Sequence, residues 1–163
     1  MKPLIIAGFA LLVCISSKAQ YRFAVGVNVG TTGKIKFDKA PNADSVVYEL
    51  SIKILNQKYL HTVITGSKGN DYFIGSLMSE LHKPIFYPLD FYIGLGAHAG
   101  SYSSSHWNDG AEHKKTIGGL NGVIGLQLTF RPVAFSAGTK PFYNLWPDDR
   151  FYWMNYAGLS ICF

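Results

Sequence analysis

The residues with the widest chemical repertoire lie together in SSSHWNDGAEHKK, from Ser103 to Lys115. His106, Asp109, Glu112 and His113 offer imidazole nitrogens and carboxylate oxygens, the donor types that bind zinc-like ions. Ser103, Ser104 and Ser105 next to His106 or Asp109 offer a hydroxyl and a base, the parts of a lipid-modifying enzyme that works by nucleophilic attack. Both chemistries need side chains held in fixed geometry, and a polar run containing Gly110 has no spacing that enforces it. The stretch therefore reads as a solvated loop, with no catalytic residue, no metal and no cofactor assigned to it. Gly94-Leu95-Gly96 and the glycines from Gly118 to Gly125 have the look of phosphate-cradling turns, but no helix follows whose N-terminus would hold a phosphate.

What could position any site is a chain of 163 residues, 48% hydrophobic, 15% aromatic and only 15% charged, with 17 glycines and 7 prolines. That is the size of one domain with a sizeable core, and too apolar for a disordered chain. Residues 1–20 stand apart. Lys2 gives a positive start, Leu4 to Ile15 an apolar run too short to span a bilayer as a helix, and Ser17-Lys18-Ala19 a small-residue cleavage signal, so a secretory signal peptide is expected. Cys14 is read as part of that signal, not as a lipid attachment site. Removing Lys2 and Lys18 leaves 13 basic against 10 acidic residues, a surplus of +3 in place of +5. This is too mild to suggest nucleic acid as a partner. Cys162 then has no partner cysteine, so no internal disulfide staples the fold.

The dominant period of residues 21–163 is two, that of β-strands. From Leu89, the apolar Leu89, Phe91, Ile93, Leu95, Ala97 and Ala99 alternate with Asp90, Tyr92, Gly94, Gly96, His98 and Gly100. Leu120, Ile124, Leu126, Leu128 and Phe130 do the same later, blurred by Gly122 and Val123. Phe151, Trp153, Ala157, Leu159, Ile161 and Phe163 close the chain in the same way, with Asn155 as the exception. Turn residues bound eight such segments, at about 21–37, 46–55, 58–66, 71–82, 89–102, 116–131, 133–142 and 150–163. Asn56-Gln57 and Arg131-Pro132 look like tight turns, Lys83 to Pro88 like an intermediate connection, and 39–45, 103–115 and 144–149 like longer loops on the opposite rim. Eight strands of ~10 residues fit an all-β, eight-stranded antiparallel up-and-down transmembrane β-barrel in a single domain, 21–163.

A barrel dissolved in water would put its oily face inside and charge the other. Here the second face is Gly, Asn, His, Gln, Thr and Tyr, which suits the crowded interior of a narrow tube, and leaves the oily face for lipid. Arg22, Glu49, Lys53, Glu80, Asp90, His98, Arg131 and Lys140 share the inward parity. They are expected to form a polar plug of paired charges, those near strand ends such as Arg22, Asp90 and Arg131 having the alternative of a wet rim. Aromatics near strand ends, including Phe86, Tyr87, Phe130, Trp146 and Trp153, match interfacial girdles.

FYIGLGAHAG (91–100), NGVIGLQLTF (121–130), TKPFYNL (139–145) and the closing GLSICF (158–163) together resemble the small outer-membrane β-barrel proteins of the Bacteroidetes group. The resemblance implies a closed barrel in the bacterial outer membrane, both termini in the periplasm, and a terminal Phe163 recognised by the barrel assembly machinery. Relatives often carry an acid where this chain has Gly138, so no local carboxylate is supplied for Lys140. They tend to have an aromatic where Ile161 stands. The group has no generally established activity to carry over. The expected function is a structural or surface-interaction role with a filled lumen, outer-membrane lipid as surroundings and a surface partner unknown. The alternatives are a small ligand-binding or transport barrel and, behind it, a lipid-modifying enzyme.

Overall fold

The structure is a computed structural model, and it describes residues 23–34, 46–55, 59–69, 72–104, 113–146 and 150–163. Eight strands run β1 (Phe23–Lys34), β2 (Val46–Ile54), β3 (Leu60–Lys68), β4 (Tyr72–Phe86), β5 (Leu89–Ser104), β6 (His113–Phe130), β7 (Val133–Trp146) and β8 (Arg150–Cys162). Each pairs antiparallel with the next, and β8 pairs with β1 from Ala24↔Cys162 to Lys34↔Tyr152, closing the barrel. Closure leaves no unpaired sheet edge, so every strand finds ladder partners on both sides. Phe163 completes the seam, its N–H donating to the Phe23 carbonyl at 2.8 Å and its ring stacking on Phe23 at 5.1 Å. The expected signal peptide, Arg22 and the loop residues 105–112 lie outside the described residues.

Strand boundaries correct the sequence reading at the prolines. Residues 83–86 belong to β4, and only Tyr87-Pro88 turn the chain into β5. Pro84 is tolerated because it sits beside a register shift, and because the described β3–β4 ladder ends at Leu60↔Leu81. β7 likewise runs through Pro141 to Trp146, absorbing the start of the loop expected at 144–149. Its ladder to β6 skips from Asn121↔Phe142 to Ile124↔Thr139. Gly122 faces Pro141 there, and a Cβ on it would come within 3.3 Å of the ring. A residue that donates no hydrogen bond is thus placed opposite one that takes no space. β6 begins at His113, not Thr116, which draws His113, Lys114 and Lys115 into a strand.

The alternation of burial is inverted with respect to a soluble protein. Ile93, Leu126 and Leu159 are 44%, 46% and 46% exposed on the outer wall, whereas Glu49 and Lys140 are 1% and 3% exposed inside. Val123, ambiguous in sequence, is fully buried and points inward with Tyr92 and Met154.

Glycines divide by what surrounds them. A Cβ on Gly119 would strike the Tyr143 carbonyl oxygen and lie 2.8 Å from the Asn144 Cα, whereas one on Gly66 would meet nothing within 4 Å. Gly119→Ala should therefore cost about 1–3 kcal/mol by forcing backbone apart. Gly66→Ala should be neutral or stabilise by about 0.4–1 kcal/mol through the unfolded chain. Urea midpoints of the refolded barrel compare the two, and equal effects would contradict the steric distinction.

Candidate functional site in the barrel lumen

The lumen is built from one residue in two on each strand, so its chemistry is set by which inward side chains the register brings to the same height. Near mid-barrel, Glu49 from β2 is the hub. One carboxylate oxygen accepts from Asn28 Nδ2 of β1 at 2.6 Å and from Lys140 Nζ of β7 at 2.5 Å, and the other accepts from Ser67 Oγ of β3 at 2.9 Å. A buried carboxylate is costly unless its lone pairs are satisfied, and here three strands besides its own supply donors. The Lys140 ammonium also lies 4.8 Å above the Tyr156 ring, whose hydroxyl bonds that of Tyr92.

Toward the end carrying the termini lies a second cluster. Lys53 Nζ is 2.8 Å from Glu80 Oε2, and the same oxygen is 3.1 Å from His82 Nε2. Lys53 also donates to Gln127 Oε1 at 3.3 Å and stands 5.2 Å over the Tyr92 ring. His82 is sandwiched, with His61 at 4.2 Å on one side and Tyr92 at 5.0 Å on the other. Toward the loop end, His98 Nε2 and Asn144 Oδ1 are 2.9 Å apart, which makes that nitrogen the protonated one, and Phe142 meets the His98 ring edge-on before stacking on Tyr152.

Of the eight residues singled out in sequence, the structure joins Glu49 to Lys140 and Lys53 to Glu80. His98 is buried but belongs to neither pair. Asp90 is half-buried near the start of β5, and Arg131 is exposed in the β6–β7 turn, so these two occupy the rim. Arg22 is outside the described residues. Asn28, Ser67, His61, His82, Gln127, Tyr92, Tyr156 and Asn144 are not among the eight. His82 has a usable signal, sharing parity with Glu80 two residues before it, but segment 71–82 alternates too weakly to assign a face.

Between the two charged clusters lies a cavity of about 30 Å³ bordered by both lysines. It has room for about two waters and none for a solute of metabolite size. Among the described residues no group of three or more His, Cys, Asp or Glu could hold a metal ion. The loop residues His106, Asp109 and Glu112, whose side chains suggest metal ligation, lie outside the described residues.

No protein-family model matches the sequence, and no curated protein matches it. Solved structures do match in shape. The N-terminal β-barrel domain of Pseudomonas aeruginosa OprF aligns over 88% of this chain and 100% of its own, with TM-score 0.68 and 16% identity. Neisserial surface protein A aligns over 90% and 100%, with TM-score 0.67 and 14% identity. Ail, the attachment invasion locus protein of Yersinia pestis, aligns over 89% and 100%, with TM-score 0.65 and 12% identity. At these identities the likeness is one of fold, the small eight-stranded outer-membrane β-barrel.

Proposed function

We propose that this chain is a bacterial outer-membrane β-barrel whose outer wall dissolves in lipid, whose lumen is closed by paired polar side chains, and whose role is structural or surface-interactive, without catalysis. The observation that carries this reading is the inversion of the wall. Leucines and isoleucines such as Ile93, Leu126 and Leu159 face outward, while two ion pairs occupy the interior. In water that arrangement forfeits the hydrophobic effect and still incurs the desolvation of four charges. In a bilayer the apolar wall is where it belongs, and closure satisfies the backbone. Residues 1–20 would then serve as the cleaved leader, and Phe163 as the element met by the assembly machinery. The fold shared with outer-membrane barrels supports the location.

The lumen argues against a general pore. The Glu49 and Lys140 side chains meet across it, the Tyr92 and Tyr156 hydroxyls join beside them, and the cavity between the charged clusters is of water size. Purified protein should fractionate with membranes, need detergent, and migrate differently on a gel before and after heating. In planar bilayers it should give no sustained conductance. Recovery from the aqueous fraction without detergent would overturn the membrane assignment, and steady single-channel currents would move the function to transport.

A further inference from the structure

The cavity between the charged clusters has a mixed lining in which polar groups slightly outweigh apolar ones. Lys53, Glu80, Lys140, Gln127 and Ser160 supply its polar side, and Ala24 and Val63 are among its apolar walls. Each lysine ammonium has three N–H donors. For Lys140, one goes to Glu49 at 2.5 Å and the face of Tyr156 occupies another direction, leaving a donor without an oxygen among the described residues. For Lys53, Glu80 and Gln127 take two. The third points near His82 Nε2 at 3.3 Å, but that nitrogen is also 3.1 Å from Glu80 Oε2. A single ring nitrogen cannot donate to the carboxylate and accept from the ammonium at once. When His82 donates to Glu80, Lys53 too has a donor to place.

We propose that the cavity is a hydration site in which about two ordered waters accept the remaining donors of Lys140 and Lys53 and donate to Glu80, joining two ion pairs that do not touch into one coupled unit. Water fits in size, since ~30 Å³ accommodates about two molecules. It fits in chemistry because the site needs a guest that both accepts and donates. A halide could only accept, and it would face Glu80 beside two ammoniums already balanced by carboxylates. The inference concerns the interior alone and holds whether or not the barrel conducts.

The test has two arms on the full barrel. In detergent micelles or bicelles, through-space magnetisation transfer from long-lived water should reach the Lys140 and Lys53 side chains, and a high-resolution crystal structure should show density in the cavity that bromide soaking does not replace. No transfer and an empty cavity in the folded wild type would overturn the proposal, as would bromide in the site. The second arm fills the site with Ala24→Val, a wall residue outside both ion pairs. In the wild type, the penalties of Glu49→Gln and Glu80→Gln should depart from multiplicativity by about fivefold in the folded-to-unfolded ratio. In the Ala24→Val background they should multiply to within about twofold. Coupling that survives the filling, with the water signal lost, would show that the waters do not carry it. If Ala24→Val does not fold, the wild-type water measurement decides.

Discussion

Lys140→Met should be the most damaging single substitution in the lumen, costing about 3–5 kcal/mol, because it leaves the Glu49 carboxylate buried with its charge unpaired. Glu49 is 1% exposed and keeps only Asn28 and Ser67 as donors when the ammonium is gone. Neither is charged, so the carboxylate keeps hydrogen bonds but no counter-charge. The partner substitution discriminates the cause. If the cost is the orphaned charge and not the lost volume, Lys140→Met combined with Glu49→Gln should recover most of the stability. The neutral amide still accepts from Asn28 through its carbonyl, its NH2 can donate to the Ser67 hydroxyl in the place of the second carboxylate oxygen, and methionine fills most of the space that the lysine stem filled. Urea unfolding of the refolded barrel, followed by loss of heat-modifiable migration, measures all three variants. A single-variant cost under about 1 kcal/mol would place the pair in a solvated environment. Failure of the double variant to recover would assign the loss to packing.

The importance of Lys140 and Glu49 is partly legible in the sequence, and it is instructive where legibility stops. Parity alone puts both side chains indoors, because alternation along a strand is a local property. Partnership is not local. Lys140 pairs with a carboxylate 91 residues away, and by parity Glu80 or Asp90 is as eligible as Glu49. Choosing among them needs the stagger between eight strands, which no single strand's pattern contains. Arg131 and Asp90 show the same limit at strand ends, where a one-residue change in boundary separates a lumen side chain from a wet rim. The prolines mislead for a physical reason. Pro84 reads as punctuation because proline cannot donate to a ladder, and the seventh segment, which already contains Pro141, is ended at 142, too early. Yet a register shift in one case and an opposed Gly122 in the other accommodate the ring without ending the strand. His82 escapes notice because its segment alternates too weakly to assign a face, and the Tyr92–Tyr156 link because parity puts Tyr92 indoors without saying which side chain 64 residues away it meets.

The outer wall yields the other large effect, and its sign depends on the surrounding solvent. Leu126→Arg should destabilise the barrel in phospholipid vesicles by about 2–4 kcal/mol, whereas Phe130→Arg, four residues nearer the strand end, should cost about 0–1 kcal/mol. Leu126 lies on β6 between Phe91 and Ala137 in the register, with Ile124 and Leu128 beside it on the same face, so an arginine there has only hydrocarbon to enter. Phe130 ends the strand beside Arg131, where a guanidinium can reach headgroups. A water-soluble barrel predicts no such gradient. There the exposed leucine contributes little by being apolar, and replacing it with a charge is close to neutral. The gradient between 126 and 130, measured by reversible denaturation from vesicles, therefore reads the depth of each position in a bilayer without reference to any homologue. Equal and small costs at both positions would mean that Leu126 faces water, and the inverted wall would then need another explanation.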